Sequence, residues 1–217
     1  LYAYRSIFYI LIKIIKLTIY SKMKLALFDF DGTITKNDSL IKFIRFVAGD
    51  AKTLWGMMLL SPILTAYKLK IIPNYKAKQI MFSYFFKGIA EHQFQKIAEE
   101  YSLKHINTIL RPKAMEKITW HKELGHKVIV VSASIECWIR PWCEQNGLDL
   151  IATRVEIKDG LMTGKFLTKN CYGIEKVNRV KEAYNLDNYD RIYAYGDSRG
   201  DKELLELTDK SFYKPFR

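Results

Sequence analysis

The sequence predicts an α/β fold, a doubly wound parallel sheet with a helical cap inserted after the first strand. Three observations carry this. Apolar runs at 24–30, 126–131 and 191–195 each break into a polar loop, as buried parallel strands do where they leave a sheet. Helical periodicity fills much of the chain between them. The longest interval, 39–112, reads as helix with no convincing strand, so it is an insertion and not a part of the sheet layer.

In chain order, residues 1–22 come first. Their apolar core, Ile7 to Ile12, is interrupted by Lys13 and Lys16 before a spanning length of about 20 residues is reached. A small-residue cleavage site is also missing, so export is not supported. Met23 stands where a natural initiator would. Two readings of 1–22 remain: upstream sequence or a mobile helix, and an interfacial anchor whose Lys13, Lys16 and Lys22 meet lipid phosphates. The first strand, 24–30, ends in Asp29-Phe30-Asp31-Gly32-Thr33. From 39 the apolar positions Ile41, Ile44, Phe46, Ile80, Phe85, Ile97 and Leu103 recur at helical spacing, punctuated by Gly49, Pro62, Pro73 and Pro112. A helix over 113–124 with Gly125 at its C-cap leads into the second strand and the loop Ser132-Ala133-Ser134. Strands at 151–157 and 161–166 flank Asp159-Gly160, favoured chemistry for a two-residue hairpin turn. A helix over 174–184, a strand at 191–195, the loop Gly196-Asp197-Ser198-Arg199-Gly200-Asp201, a helix over 202–208 and an edge strand at 211–213 complete a Rossmann-like plan. The expected division is 23–38 with 113–217 as core and 39–112 as cap.

Composition narrows the function classes. At 217 residues the chain can form one substantial core and a small insertion. A net charge of +12 attracts phosphate esters, nucleic acid or an anionic lipid surface alike. The Lys and Arg residues are scattered without a stripe of interleaved aromatics, which disfavours nucleic acid. Cys137, Cys143 and Cys171 are odd in number and lack C-x-x-C spacing, and the four histidines lie near no cysteine pair, so neither a disulfide framework nor structural zinc is expected. A reducing, cytoplasmic compartment fits best.

Parallel topology brings the chemistry together. The loops carrying Asp29 and Asp31, Ser132, and Asp197 and Asp201 all leave the sheet on one edge, and Lys176 opens a helix between the last two. A carboxylate cluster there suits a hard cation, and Mg²⁺ is the usual occupant when phosphate is also bound. Asp29 suits nucleophilic attack on phosphorus, because the cation offsets the repulsion between its carboxylate and the phosphate oxygens. Asp31 can protonate the leaving oxygen and then activate water. Gly32 permits a tight loop whose amides face phosphate, and Ser132 can donate to a phosphoryl oxygen. Lys176 supplies a point charge to the pentacoordinate phosphorus. Asp197 completes the metal shell, and Asp201 orients Lys176 or metal-bound water.

In order, Asp29-x-Asp31-Gly32-Thr33, Val131-Ser132, Lys176 and Gly196-Asp197-Ser198-x-x-Asp201 resemble the four motifs of the haloacid dehalogenase-like (HAD) superfamily, over about 23–213. The insertion between the first two motifs is similar to subfamily IB, which includes phosphoserine phosphatase. The resemblance implies Asp29 as nucleophile, Asp31 as acid/base, Ser132, the adjoining Ala133 and Lys176 at the phosphate, and magnesium held by Asp29, Asp197 and the backbone carbonyl of Asp31. Asp38 occupies the place where phosphoserine phosphatases carry a glutamate that reads the substrate's amino group, but it is the shorter acid, and no cap arginine for a serine carboxylate is found. Lys76, Lys78 and Lys87 are the cationic alternatives in the cap.

The expected substrate is therefore a small phosphorylated metabolite such as a phosphoserine-like compound. A second expectation comes from 53–67, fifteen residues without a charge and with Pro62 near the middle. They form either a buried helix pair or a surface that dips into a bilayer, with Trp55 and Tyr67 at the interface and Lys68 and Lys70 on the headgroups. This apolar cap resembles the phosphatidylglycerophosphatase C branch of the same subfamily, which implies a lipid phosphate and association with the inner face of the membrane. A reading from another class is a non-catalytic protein that holds magnesium and a phosphate ligand without turnover.

Overall fold

The computed structural model describes residues 23–217, so both expectations for 1–22 lie outside the described residues. Five strands form one parallel sheet in the order β3-β2-β1-β6-β7: β1 (Met23–Phe28), β2 (Lys127–Ile135), β3 (Asp149–Thr153), β6 (Tyr189–Gly196) and β7 (Lys210–Tyr213). The chain runs outward from β1 to β3, then crosses to β6 on the other side of β1. The direction of winding thus reverses between β1 and β6, and it is outside such a reversal that open α/β sheets hold ligands.

Between β1 and β2 lie α1 (Ser39–Leu59), α2 (Ser61–Lys68), α3 (Asn74–Phe86), α4 (Glu91–Ile109) and α5 (Pro112–Glu123). Helix α1 turns a corner at Gly49, whose φ of 76° is cheap only for glycine. Three further helices follow: α6 (Glu136–Gln145), α7 (Ile174–Ala183) and α8 (Lys202–Glu206). Alternation along the strands divides the core in two. Ala26, Phe28, Val128, Val130 and Tyr195 face Trp138, Trp142 and the helices of the insertion, whereas Leu25, Leu27, Ile129, Val131 and Ala194 face Val180 of α7 and Leu204 of α8. Among the described residues no helix is long and apolar enough to cross a membrane.

Two expectations change in detail. The single strand at 151–157 is two elements: β3 ends at Thr153 in the main sheet, and β4 (Val155–Lys158) pairs antiparallel with β5 (Leu161–Phe166). Arg154 makes the corner, its N–H donating to Thr168 Oγ1 at 3.0 Å and its carbonyl accepting from Leu167 at 2.8 Å. The hairpin turn itself stands where expected, with Asp159 and Gly160 both at positive φ. Nothing in the apolar pattern announces α6, which carries Pro141 in its interior yet buries Trp138, Ile139, Trp142 and Cys143. Burial of two tryptophans outweighs the helix-breaking cost of the proline.

Behind the sheet, buried His121 of α5 bonds Tyr195 Oη through Nε2 at 2.8 Å and His126 Nδ1 through Nδ1 at 2.7 Å. Burial, aided by His126 and Lys117, pushes its pKa down to about 3. The unfolded chain therefore takes up a proton near its ordinary pKa of about 6.5 that the folded chain refuses, so this contribution to stability is full above that pH and lost as pH falls. Urea unfolding of wild type and His121→Gln between about pH 7 and pH 5 is predicted to show a shallower pH dependence in the variant, by up to about 1 kcal/mol per pH unit. Identical slopes would contradict the burial of a neutral imidazole.

Candidate active site

Register sets the site. Phe28 pairs with Val130 of β2 on one side and with Tyr195 of β6 on the other, so the next residues, Asp29, Val131 and Gly196, lie level with one another. Asp29 leaves the sheet there, whereas Val131 and Gly196 stay paired with Ile151 of β3 and Tyr213 of β7. Ser132-Ala133-Ser134, expected as a loop, lies within β2, which runs on to Ile135. Asp29 extends the pairing by donating its N–H to the Tyr195 carbonyl at 2.9 Å. The chain then loops through 30–34, closed by the Thr35 N–H on the Phe30 carbonyl at 3.0 Å. Gly32 is required at the tip: its φ is +85°, and a Cβ there would sit 2.5 Å from Asp197 Oδ2.

At the centre is Lys176, buried at the start of α7. Its Nζ donates to Asp29 Oδ1 at 2.6 Å, Asp201 Oδ1 at 2.6 Å and the Val131 carbonyl at 2.7 Å. Burial works against its charge, but the two carboxylates hold its pKa above the usual lysine value. Asp29 Oδ2 accepts from Thr33 Oγ1 at 3.0 Å. Burial pushes the Asp29 carboxyl up to about 7 even against the pull of Lys176, with Asp201 and Asp31 adding to the rise.

Asp31 is held separately. Its Oδ1 accepts from the Ser39 N–H at 2.7 Å, and its Oδ2 accepts from Ser134 Oγ. Ser39 Oγ in turn lies 2.9 Å from Ser134 Oγ and accepts from Trp138 Nε1 at 3.2 Å. Burial, then nearby Asp38, raises the Asp31 pKa to about 6. Asp38 spends Oδ1 capping α1 through the amides of Leu40 and Ile41.

The carboxylates of Asp29, Asp197 and Asp201 each offer an oxygen within 4.8 Å of the others. Their commitments differ. Asp201 accepts from Lys176 on one oxygen and, on the other, from the Asp197 N–H at 3.1 Å, the Ser198 N–H at 2.9 Å and Ser198 Oγ at 2.9 Å. Burial alone would raise its pKa, yet Lys176 and Ser198 hold it low. Among the described residues Asp197 pairs through Oδ2 with Arg217. A donor set of carboxylate oxygens without nitrogen or sulfur fits a hard divalent cation, and Asp201, already saturated, is suited to orienting its neighbours.

Above these groups lies a cavity of about 510 Å³, with Asp29, Asp31, Ser132 and Lys176 at its polar side and Leu64, Tyr67 and Met81 among its apolar lining. Asp38 and Ala133 line it too. Ser132 is buried, its Oγ accepting from the Ser134 N–H at 3.0 Å. The Ala133 carbonyl accepts from Lys78 Nζ at 2.9 Å. Of the site residues expected from sequence, Asp29, Asp31, Asp38, Ser132, Ala133, Lys176 and Asp201 line this cavity, while Gly32 and Asp197, packed against each other, lie outside its lining. Sequence reasoning overlooked four contributors. The parts of Thr33 and Ser134 could have been read from their places within Asp-x-Asp-Gly-Thr and Ser-Ala-Ser, and that of Ser39 less easily. Arg111, which donates through Nε to the carbonyls of Gly32 and Thr35 at 3.2 Å, carries no sequence signal at all.

A buried lysine gripping two aspartates at the edge of a parallel sheet, beside a third carboxylate and a cavity with room for a whole phosphate ester, marks a phosphatase-like hydrolase. A family model described as HAD, haloacid dehalogenase-like hydrolase, matches residues 26–206, and the chain belongs to that family. Protein CicA of Caulobacter vibrioides strain NA1000 / CB15N is 33% identical over 195 residues, 89% of this chain and 86% of that protein. Histidinol-phosphatase of Neisseria meningitidis serogroup C is 25% identical over 207 residues, 86% of this chain and 87% of that one. A solved substrate-bound phosphoserine phosphatase complex shares the fold, with a TM-score of 0.61 at 24% identity, covering 89% of this chain and 86% of that chain.

Replacing Lys176 by Met should strand two buried carboxylates. Chemical unfolding is predicted to show a loss of about 3–5 kcal/mol. A loss below about 1 kcal/mol would mean that the ammonium does not hold the site together.

Proposed function

We propose that the protein is a magnesium-dependent phosphomonoesterase that works through a phosphate ester on Asp29. The observation that carries this is the division of labour between two aspartates of one loop. Asp29 is fixed by Lys176 and Thr33 within the carboxylate cluster, and Asp31 is fixed two residues on by Ser39 and Ser134, beside the same cavity. One is placed to attack, the other to move a proton.

Magnesium, held by Asp29, Asp197 and the backbone carbonyl of Asp31, would neutralise phosphate charge and leave the Asp29 carboxylate ionised. In the first step an Asp29 oxygen forms the bond to phosphorus as the P–O bond to the leaving group breaks, and Asp31 delivers a proton to the departing oxygen. Asp31, now a carboxylate, takes a proton from water as that water attacks phosphorus, which releases phosphate and restores Asp29. Lys176, Ser132 and the amides about Gly32 and Ala133 stabilise the phosphoryl oxygens, and Asp201 keeps Lys176 in line.

We assign 39–112 as the cap that closes over the cavity and 23–38 with 113–217 as the core. The substrate proposed is a small phosphorylated metabolite of the phosphoserine kind, a reading supported by the relatives that bear the names histidinol-phosphatase and phosphoserine phosphatase. Asp38 faces the cavity and retains Oδ2 for such a ligand, while its other oxygen serves the helix. A lipid phosphate is the second reading, favoured by the apolar wall of Leu40, Ile41, Leu64 and Met81. A cytoplasmic location accords with three unpaired cysteines.

A screen of phosphomonoesters with Mg²⁺, including phosphoserine, histidinol phosphate and phosphatidylglycerophosphate, tests this. Hydrolysis is predicted to vanish on chelation and to fall on the order of a thousandfold or more in Asp29→Asn. Undiminished turnover by that variant would overturn the mechanism, and a wild-type protein inert toward every ester would favour the non-catalytic binder.

A further inference from the structure

From residue 51 to residue 90 the chain carries six lysines, at 52, 68, 70, 76, 78 and 87, and no Asp, Glu or Arg. The same stretch holds a concentration of exposed large apolar side chains. Leu54, Trp55, Met58 and Leu59 are 57–64% exposed, and Leu69 and Ile71, just beyond α2, are 66% and 71% exposed. At about 100° per residue, positions 54, 55, 58 and 59 share one side of α1. The opposite side is already used: Thr53, Gly56 and Leu60 are buried, and a Cβ on Gly56 would meet Tyr84 Cε1 at 2.7 Å. The outer residues therefore cannot turn inward. Helix α2, of eight residues, buries none of them.

So many exposed large apolar side chains within residues 54–71 mark a docking site, and charge selects the occupant. Two copies meeting through this face would bring lysines against lysines with no acid to offset them. A surface of anionic headgroups over hydrocarbon satisfies both features, lysines toward phosphate and Trp55 and Tyr67 at the boundary. Position fits as well, because Leu64 and Tyr67 of α2 line the cavity. Helix α2 thus joins the exposed face to the mouth of the site.

We propose that the outer face of α1 and α2 with the turn that follows, residues 54–71, docks on an anionic phospholipid bilayer and holds the cavity mouth at the membrane surface. The docking is independent of the hydrolytic reading and of which ester is cleaved.

Flotation of the full chain with vesicles of phosphatidylglycerol and phosphatidylcholine, beside vesicles of phosphatidylcholine alone, tests it. Wild type is expected to float with the anionic vesicles, and less so as salt is raised. The variant Leu54→Ser/Trp55→Ser/Met58→Ser/Leu59→Ser should partition at least about tenfold less, with its thermal transition and its hydrolysis of p-nitrophenyl phosphate kept. The charge reversal Lys52→Glu/Lys68→Glu/Lys70→Glu, which alters no packed residue, should also lose binding. Wild type that stays unbound overturns the proposal, as does a serine variant that floats equally well, which would point to 1–22. So does a wild-type dimer that the variant dissolves without any vesicle binding.

Discussion

The structure depends on one buried ammonium. Lys176 reaches from α7 to the end of β1, to the middle of β2 and to the loop after β6, and its three acceptors are Asp29, the Val131 carbonyl and Asp201. Removing a lysine from water is costly, and only a full set of charged or carbonyl partners offsets it. Positions 29, 131 and 196 on the three neighbouring strands must therefore lie level, which the pairing of Phe28 with Val130 and Tyr195 provides. Register and charge neutralisation are two views of one constraint. Asp201 completes the arrangement, one oxygen held by Lys176 and the other by the amides of Asp197 and Ser198, which fixes the loop that carries Asp197.

Two aspartates separated by one residue acquire different surroundings because the loop turns between them. Asp29 belongs to the sheet edge and the lysine. Asp31 belongs to the entrance of the helical insertion, where the amide of Ser39 and the hydroxyl of Ser134 grip its two oxygens. The first residue of α1 thus touches the proposed proton carrier directly. Helix α1 is anchored at that end by Asp38 and by burial of Phe43 against Trp138, whose rings stack 4.5 Å apart. Its far half carries the exposed apolar face, so the proposed proton chemistry and the proposed membrane contact sit at opposite ends of one helical element.

Much of this was legible in the sequence. The strands declared themselves because parallel strands covered on both faces are apolar throughout, and the site followed because parallel topology sends their loops to one edge. Glycine at the loop tip was legible too, although the reason, the approach of Asp197, belongs to tertiary structure. What remained hidden depended on long-range contact. Arg111, far along the chain from Gly32, supports the loop through carbonyls, and carbonyls leave no trace in residue type. The split between β3 and β4 turns on hydrogen bonds that Arg154 makes, as donor to Thr168 and as acceptor from Leu167, with a segment more than ten residues away. Helix α6 stayed hidden because its proline argues locally against helix, while its tryptophans argue for it only once the core they fill is known. Of the two readings of 53–67, burial within the insertion describes Thr53, Gly56 and Leu60, whereas most of the large apolar side chains there point outward.

The central claim is that an oxygen of Asp29 becomes bonded to phosphorus. Acid quenching during turnover followed by borohydride reduction would convert an aspartyl phosphate to homoserine, and peptide mapping would locate it. Homoserine confined to residue 29, in the tryptic peptide 25–36, and dependent on both substrate and Mg²⁺, is the result predicted. Rapid turnover with residue 29 never modified, or with the label on Asp31, would contradict it.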